Sequence, residues 1–302
     1  MRLLVGYDGS EGGRDALELA RVVGEASGAS VLVVTVLPYG PLPIPYEILE
    51  EEEAERAQPL FEEARQRLGG LEVETRAFGG GSAAGVINDL AEKEEVDTIV
   101  VGSPHRGPVG RTLIGSVADG LLHGAPCEVI LAPRGYASEK PGPFRTIAVA
   151  YDDTDEAKAA LARAEAIAVD CRATIVVFTV SAPPAVVPGA AGYTPAIPPE
   201  AGNIVTQTVR GVDERLAATG RALAGVPGPA IVAACEEVGA DLLVSGSRHY
   251  GPMLRVLLGS VSTQLAHKAA CPVLVVPRPV GKPEEQEEGE GRGQRRNHHQ
   301  VA

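Results

Sequence analysis

Gly102-Ser103-Pro104-His105-Arg106-Gly107-Pro108 returns 144 residues later as Gly246-Ser247-Arg248-His249-Tyr250-Gly251-Pro252. The offset does not drift. Gly115-Ser116-Val117 matches Gly259-Ser260-Val261, Asp8 matches Asp152, Asp97 matches Asp241, His123 matches His267, and Cys127 matches Cys271. One register held over so many landmarks makes the chain two copies of one unit. Its 302 residues are enough for each copy to bury a core of its own. The repeat sets the domains at 1–134 and 145–279. A Gly-, Pro- and charge-rich linker covers 135–144, and 280–302 is a charged tail with almost no apolar residues, expected to be disordered.

Each copy alternates short β-rich runs with helical stretches, the pattern of a doubly wound, mostly parallel α/β sheet with helices on both faces. The first copy's strands read Leu3–Asp8, Val31–Leu37, Leu71–Phe78, Thr98–Gly102 and Glu128–Ala132. They are mostly continuous Val/Leu/Ile runs, as strands covered on both faces require. Ser10 can cap a first helix whose Ala16, Leu19, Ala20 and Val23 share one face. A second helix spans about Tyr46 to Leu68, Ser82 can cap a third, and a fourth follows Gly115-Ser116. The second copy's strands read Thr146–Asp152, Thr174–Val180, Gly220–Leu223, Asp241–Gly246 and Val273–Pro277. Gly220–Leu223 has little β-propensity and is placed only by the repeat. Residues 182–199 form a long Pro- and Ala-rich loop, of the kind that is either disordered or a lid.

A formal net charge of −13 argues against a general nucleic-acid partner or an anionic membrane surface. It leaves a nucleotide open, because local amides rather than net charge would hold the phosphates. No apolar run is long enough to span a bilayer, and no signal peptide precedes the first strand. These features point to the cytoplasm, where the four cysteines, lacking metal spacing, would be reduced thiols.

Each Gly/Ser loop leaves the carboxyl end of a fourth strand, where open parallel sheets bind ligands. Gly102 and Gly246 allow close backbone approach. Gly115-Ser116 and Gly259-Ser260 open a helix, whose free amides favour an anion. With Val5-Gly6-Tyr7-Asp8-Gly9-Ser10, Asp97-Thr98-Ile99-Val100-Val101-Gly102-Ser103 and Ala125-Pro126-Cys127-Glu128-Val129-Ile130, the unit resembles a universal stress protein domain, over nearly all of Met1–Pro133 and Arg145–Pro277. The resemblance implies five strands per copy in the order 3-2-1-4-5. It also implies a cytoplasmic stress-response role and an ATP site built from Gly-x-x-Gly, nine residues, then Gly-Ser/Thr. Carried over, that site is Gly102, His105, Gly115, Ser116 and Val117, with Asp8 and Val36 on adenosine. In the second copy it is Gly246, His249, Gly259, Ser260 and Val261, with Asp152 and Val180. It implies further that the two last strands pair between the domains, inside one chain, and leaves a homodimer open.

The sequence departs from that motif once, identically in both copies: the second Gly is His105 and His249. If that glycine takes a positive φ, a His there costs about 1 kcal/mol. The imidazole either fills space meant for phosphate or donates to it. Asp152 is followed by Asp153-Thr154-Asp155-Glu156 where Asp8 is followed by Gly9-Ser10. Those acids favour the first turn of a helix; a magnesium ion shared with a triphosphate is the alternative. His123 and Cys127, like His267 and Cys271, lie four apart, which suggests a Cys–His nucleophile; a helix-terminal His and a buried Cys explain the same spacing. Three functions follow: an ATP-binding sensor or regulator, an interaction scaffold that has lost the nucleotide, and, last for want of a general base, a slow ATP hydrolase.

Overall fold

The computed structural model describes residues 1–37, 46–103, 115–181, 198–247, 256 and 258–277. The first copy runs β1 (Arg2–Gly6), α1 (Glu11–Ser27), β2 (Ser30–Leu37), α2 (Tyr46–Leu68), β3 (Val73–Gly79), α3 (Ala83–Lys93), β4 (Thr98–Gly102), α4 (Ser116–Leu122) and β5 (Glu128–Ala132). The second repeats it as β6 (Thr146–Ala150), α5 (Asp155–Cys171), β7 (Thr174–Ser181), α6 (Pro199–Gly211), β8 (Ala218–Ala224), α7 (Pro227–Val238), β9 (Leu242–Gly246), α8 (Ser260–Lys268) and β10 (Val273–Val276).

All ten strands join one sheet in the order β3-β2-β1-β4-β5-β10-β9-β6-β7-β8. Each copy is thus the expected five-stranded 3-2-1-4-5 sheet, parallel within itself. The copies join through β5 and β10, which run antiparallel. Ile130 faces Leu274, its own repeat equivalent, while Val129 faces Val275 and Leu131 faces Val273. A pseudo-twofold axis therefore passes through the Ile130–Leu274 pair. An apolar edge strand invites pairing, and here each copy covers the other's.

Successive strand residues face opposite sides of the sheet. Leu3, Val5, Ile147 and Val149 enter one core with α1, α2 and α5. Leu4 and Ala148 enter the other, with α3, α4, α7 and α8. Each core runs through both copies. On the seam, Arg163 of α5 donates through Nε to both carboxylate oxygens of Glu128 at 2.8 and 2.9 Å, and the Thr98 hydroxyl donates to the same carboxylate at 2.9 Å.

Most strand ends shift by one or two residues: β1 and β6, read to Asp8 and Asp152, stop at Gly6 and Ala150, and β3 spans Val73–Gly79 in place of the expected Leu71–Phe78. Two segments call for a physical account. β8 extends past Gly220–Leu223 to Ala218–Ala224. Packing makes this strand where propensity does not: α6 lies so close that a methyl group on Gly220 would overlap Val205 and come within 2.8 Å of Val209. The linker, read only as Gly-, Pro- and charge-rich, holds a 3-10 turn at Tyr136–Glu139 after Gly135 at φ 83°. Tyr136 is buried. The Asp15 carboxylate, 3 % exposed on α1, accepts the Gly135 and Ala137 amides at 2.8 Å each. The repeat puts Ala159 at the equivalent place, so Asp15 serves the linker and not the repeated unit. No described helix is long and apolar enough to cross a membrane.

Candidate functional site

The first cleft, about 340 Å³, opens at the carboxyl ends of β1 and β4. Asp8 follows β1, Val36 lies near the end of β2, Gly102-Ser103 ends β4, and Gly115, Ser116 and Val117 open α4; all line the cleft. The Asp8 carboxylate accepts the Ser10 amide at 3.0 Å, and Ser10 caps α1 by accepting the Gly13 amide at 3.0 Å. The loop after β1 is therefore fixed by its own side chains, with Gly9 at φ 79° completing the turn. Gly102 is required by the scaffold as well. A methyl group there would overlap the Gly12 carbonyl, where α1 crosses the end of β4.

The second cleft, about 500 Å³, has Asp152, Val180, Gly246, Gly259 and Val261 in its lining. Ser260 opens α8 and is not in the lining; Ser262, two residues on, is. Asp152 repeats the Asp8 turn, accepting the Thr154 hydroxyl at 2.6 Å and its amide at 3.4 Å. Asp153 adopts φ 64°, the left-handed conformation that Gly9 supplies in the first copy. The four acids therefore divide. Asp153 forms the turn, while Asp155 and Glu156 lie in the first turn of α5, as helix polarity favours. Among the described residues no three His, Cys, Asp or Glu side chains converge on a metal position.

The floors differ. Val101 and Ala118 line the first cleft, and the repeat replaces them with Ser245 and Ser262 in the second. The Ser245 and Ser262 hydroxyls are 3.0 Å apart, and Ser262 donates to the Gly246 carbonyl at 2.8 Å. Ser247 is fully buried in the same lining, and its hydroxyl has no partner among the described residues. Sequence reading passed over these serines because it compared motif positions. The signal lies in the substitutions between copies near the end of the fourth strand and in the first turn of the fourth helix. His105 and His249, the positions where the motif is broken, lie outside the described residues, as do Arg106 and Tyr250.

Tyr7 forms part of the first cleft, and burial, reinforced by the neighbouring Glu63 carboxylate, pushes its phenol up. Glu63 of α2 is itself held down to about 2, first by Arg14 of α1, whose Nε donates at 2.7 Å. Arg14 Nη2 donates to the other carboxylate oxygen at 3.3 Å, and Arg67 Nε adds a third donor at 2.9 Å. The His123–Cys127 spacing does not make a nucleophile. His123 Nδ1 donates to the Asp119 carbonyl at 2.9 Å within its own helix turn, and burial pushes the Cys127 thiol up to about 12.

The chain matches a family model described as the universal stress protein family twice, over residues 1–133 and 143–277. It is 27 % identical over 297 residues to a universal stress protein of Mycobacterium tuberculosis H37Rv, covering 92 % of this chain and all of that one. A universal stress protein of Thermus aquaticus is 35 % identical over 137 residues, 43 % of this chain and 96 % of that one. Among solved structures, a universal stress protein from Archaeoglobus fulgidus DSM 4304 superimposes with a TM-score of 0.71 at 24 % identity, covering 92 % of this chain and 98 % of that one. The twofold match, one per repeat and over nearly all of both copies, places the chain in the universal stress protein family, with two such domains in tandem.

Proposed function

We propose that this protein is a cytoplasmic stress-response regulator that binds an adenine nucleotide, ATP first, in one or both clefts. The observation that carries the reading is the constellation at the carboxyl ends of the first and fourth strands of each copy. An aspartate, a valine, a close-packed glycine and a Gly-Ser helix start meet there in one wall, and the same set lines both clefts save for Ser260. Supporting it, volumes of about 340 and 500 Å³ lie in the range of small-molecule sites. The Ser247 hydroxyl, without a partner among the described residues, is the kind of buried group a polar ligand would satisfy. The aspartates suit ribose hydroxyls, and the glycines and helix starts suit phosphates. Magnesium, in this reading, arrives with the nucleotide. We take 1–134 and 145–279 as the domain bounds.

The second reading, a scaffold without nucleotide, rests on His105 and His249, which break the phosphate motif identically in both copies. Titration calorimetry with ATP on the full chain separates the two, with phosphate release followed in the same samples. Saturable binding that weakens in Asp8→Ala and Asp152→Ala supports the regulator. Absence of heat at millimolar ATP, with no nucleotide released on denaturing the purified protein, supports the scaffold. Phosphate release at catalytic rates would instead make it a hydrolase.

A further inference from the structure

The two cleft linings correspond residue for residue at the 144-residue offset, save that Ser116 has no counterpart in the second. The clefts therefore differ by substitutions at matched positions. Three of these change polarity: Val101 becomes Ser245, Ala118 becomes Ser262, and Gly12 becomes Glu156. The loops between the fourth strand and fourth helix each carry two arginines, one histidine and no acid, so they bring equal charge. Asp153, which replaces Gly9, is not in the lining and pairs with Lys158 at 3.4 Å. The charge difference in the linings thus falls on Glu156. It lies in the first turn of α5, against the end of β9: a methyl group on Gly246 would sit 2.9 Å from the Glu156 Cβ.

Building on the adenine-nucleotide reading of both clefts, we propose that the second cleft selects the uncharged nucleoside over the triphosphate, with Ser245, Ser247, Ser262 and Glu156 as its specificity-determining residues. The hydrogen bonds of the floor carry this. Ser262 has one proton, and the Gly246 carbonyl takes it at 2.8 Å. The 3.0 Å contact between the two hydroxyls is therefore donated by Ser245. With both protons committed, the pair offers a ligand only oxygen lone pairs. It accepts from a hydroxyl or amino group and gives nothing to a phosphate oxygen, which is an acceptor as well. Ser247, one residue beyond Gly246, is fully buried in the lining, and its hydroxyl has no partner among the described residues. Its proton serves a neutral acceptor on the same ligand. A nucleoside carries both kinds of group. Glu156 adds a carboxylate beside Gly246, where the first cleft has only the bare Gly12, and repels a chain of phosphates. The first cleft, with Val101, Ala118 and Gly12 at these places, has neither feature and keeps the triphosphate.

The test is titration calorimetry on the full chain with adenosine and with ATP, without added magnesium. Asp8→Ala and Asp152→Ala assign each binding event to its cleft. The event lost in Asp152→Ala should favour adenosine over ATP by about ten-fold or more, and the event lost in Asp8→Ala should favour ATP. Glu156→Gly, Ser245→Val and Ser262→Ala together give the second cleft the residues that the first copy already folds with. There ATP affinity should rise by about ten-fold and adenosine affinity fall by about five-fold. Ser247→Ala alone should weaken adenosine by about five-fold. ATP bound at the second cleft as tightly as adenosine, or affinities unmoved by the triple substitution, overturns the proposal and leaves the nucleotide reading standing. Absence of binding by either ligand at either cleft overturns both.

Discussion

A methyl group on Gly102 would overlap the Gly12 carbonyl, and one on Gly246 would sit 2.6 Å from the carbonyl of Glu156. These glycines are fixed by the crossing of a helix start over a strand end, whether or not phosphate binds. The informative motif positions are therefore His105 and His249, where the family pattern uses glycine. If the imidazoles occupy phosphate space, the double variant His105→Gly, His249→Gly binds ATP more tightly, by roughly five-fold for about 1 kcal/mol. Calorimetry at pH 6 and pH 8 checks this; weaker binding by the variant at pH 6 would show that the imidazolium donates to phosphate instead. A second residue-scale expectation concerns Glu63. Its carboxyl drops from the ordinary 4.5 to about 2 in the fold. A depressed carboxyl stabilises fully above the unfolded value, and that contribution fades as pH falls from 4.5 towards 2. The stability gap between parent and Glu63→Gln in thermal melts should accordingly be widest at neutral pH and shrink from pH 4.5 to pH 3. A gap constant with pH would show that Glu63 acts only through packing.

At the scale of elements, one buried side chain converts the linker from a tether into part of the fold. Asp15 on α1 takes both the Gly135 and the Ala137 amides. Asp15→Ala leaves them unpaired and should cost about 2–3 kcal/mol, with faster amide exchange confined at first to residues 135–140. Exchange unchanged in that stretch would mean the turn holds without the carboxylate. Nothing in the sequence isolates Asp15, since an acid within a helix reads as solvent-facing until the partner is seen 120 residues away. By contrast, β1, β2, β4 and β5 were legible because a run of buried Val, Leu and Ile has few other uses, and α2 was legible to its ends. β8 was visible only through the repeat, because its strand is made by α6 packing on Gly220 and not by its own residue types. The site was partly legible for the same reason. Asp8, Val36 and the glycines carry a spacing, whereas the serine floor of the second cleft is formed by side chains that meet only after folding.

For the whole molecule, the shared cores and the antiparallel β5–β10 seam predict one cooperative unfolding event for both copies. Differential scanning calorimetry should give a single peak whose calorimetric and van't Hoff enthalpies agree; two resolved peaks would show that the seam is a weak contact. The seam also sets directions. β4 runs with β5, β10 runs against β5, and β9 runs with β10, so the two clefts open at opposite rims of the sheet. In a dimer of identical subunits related by such an axis, any change at one site is imposed on its mate. Here the axis lies inside one covalent chain. The stoichiometry is locked at one of each cleft, and each rim is free to acquire its own ligand, as Val101 and Ala118 on one side and Ser245 and Ser262 on the other already differ. One covalent chain can thus hold two clefts of different chemistry, which a pair of identical subunits cannot.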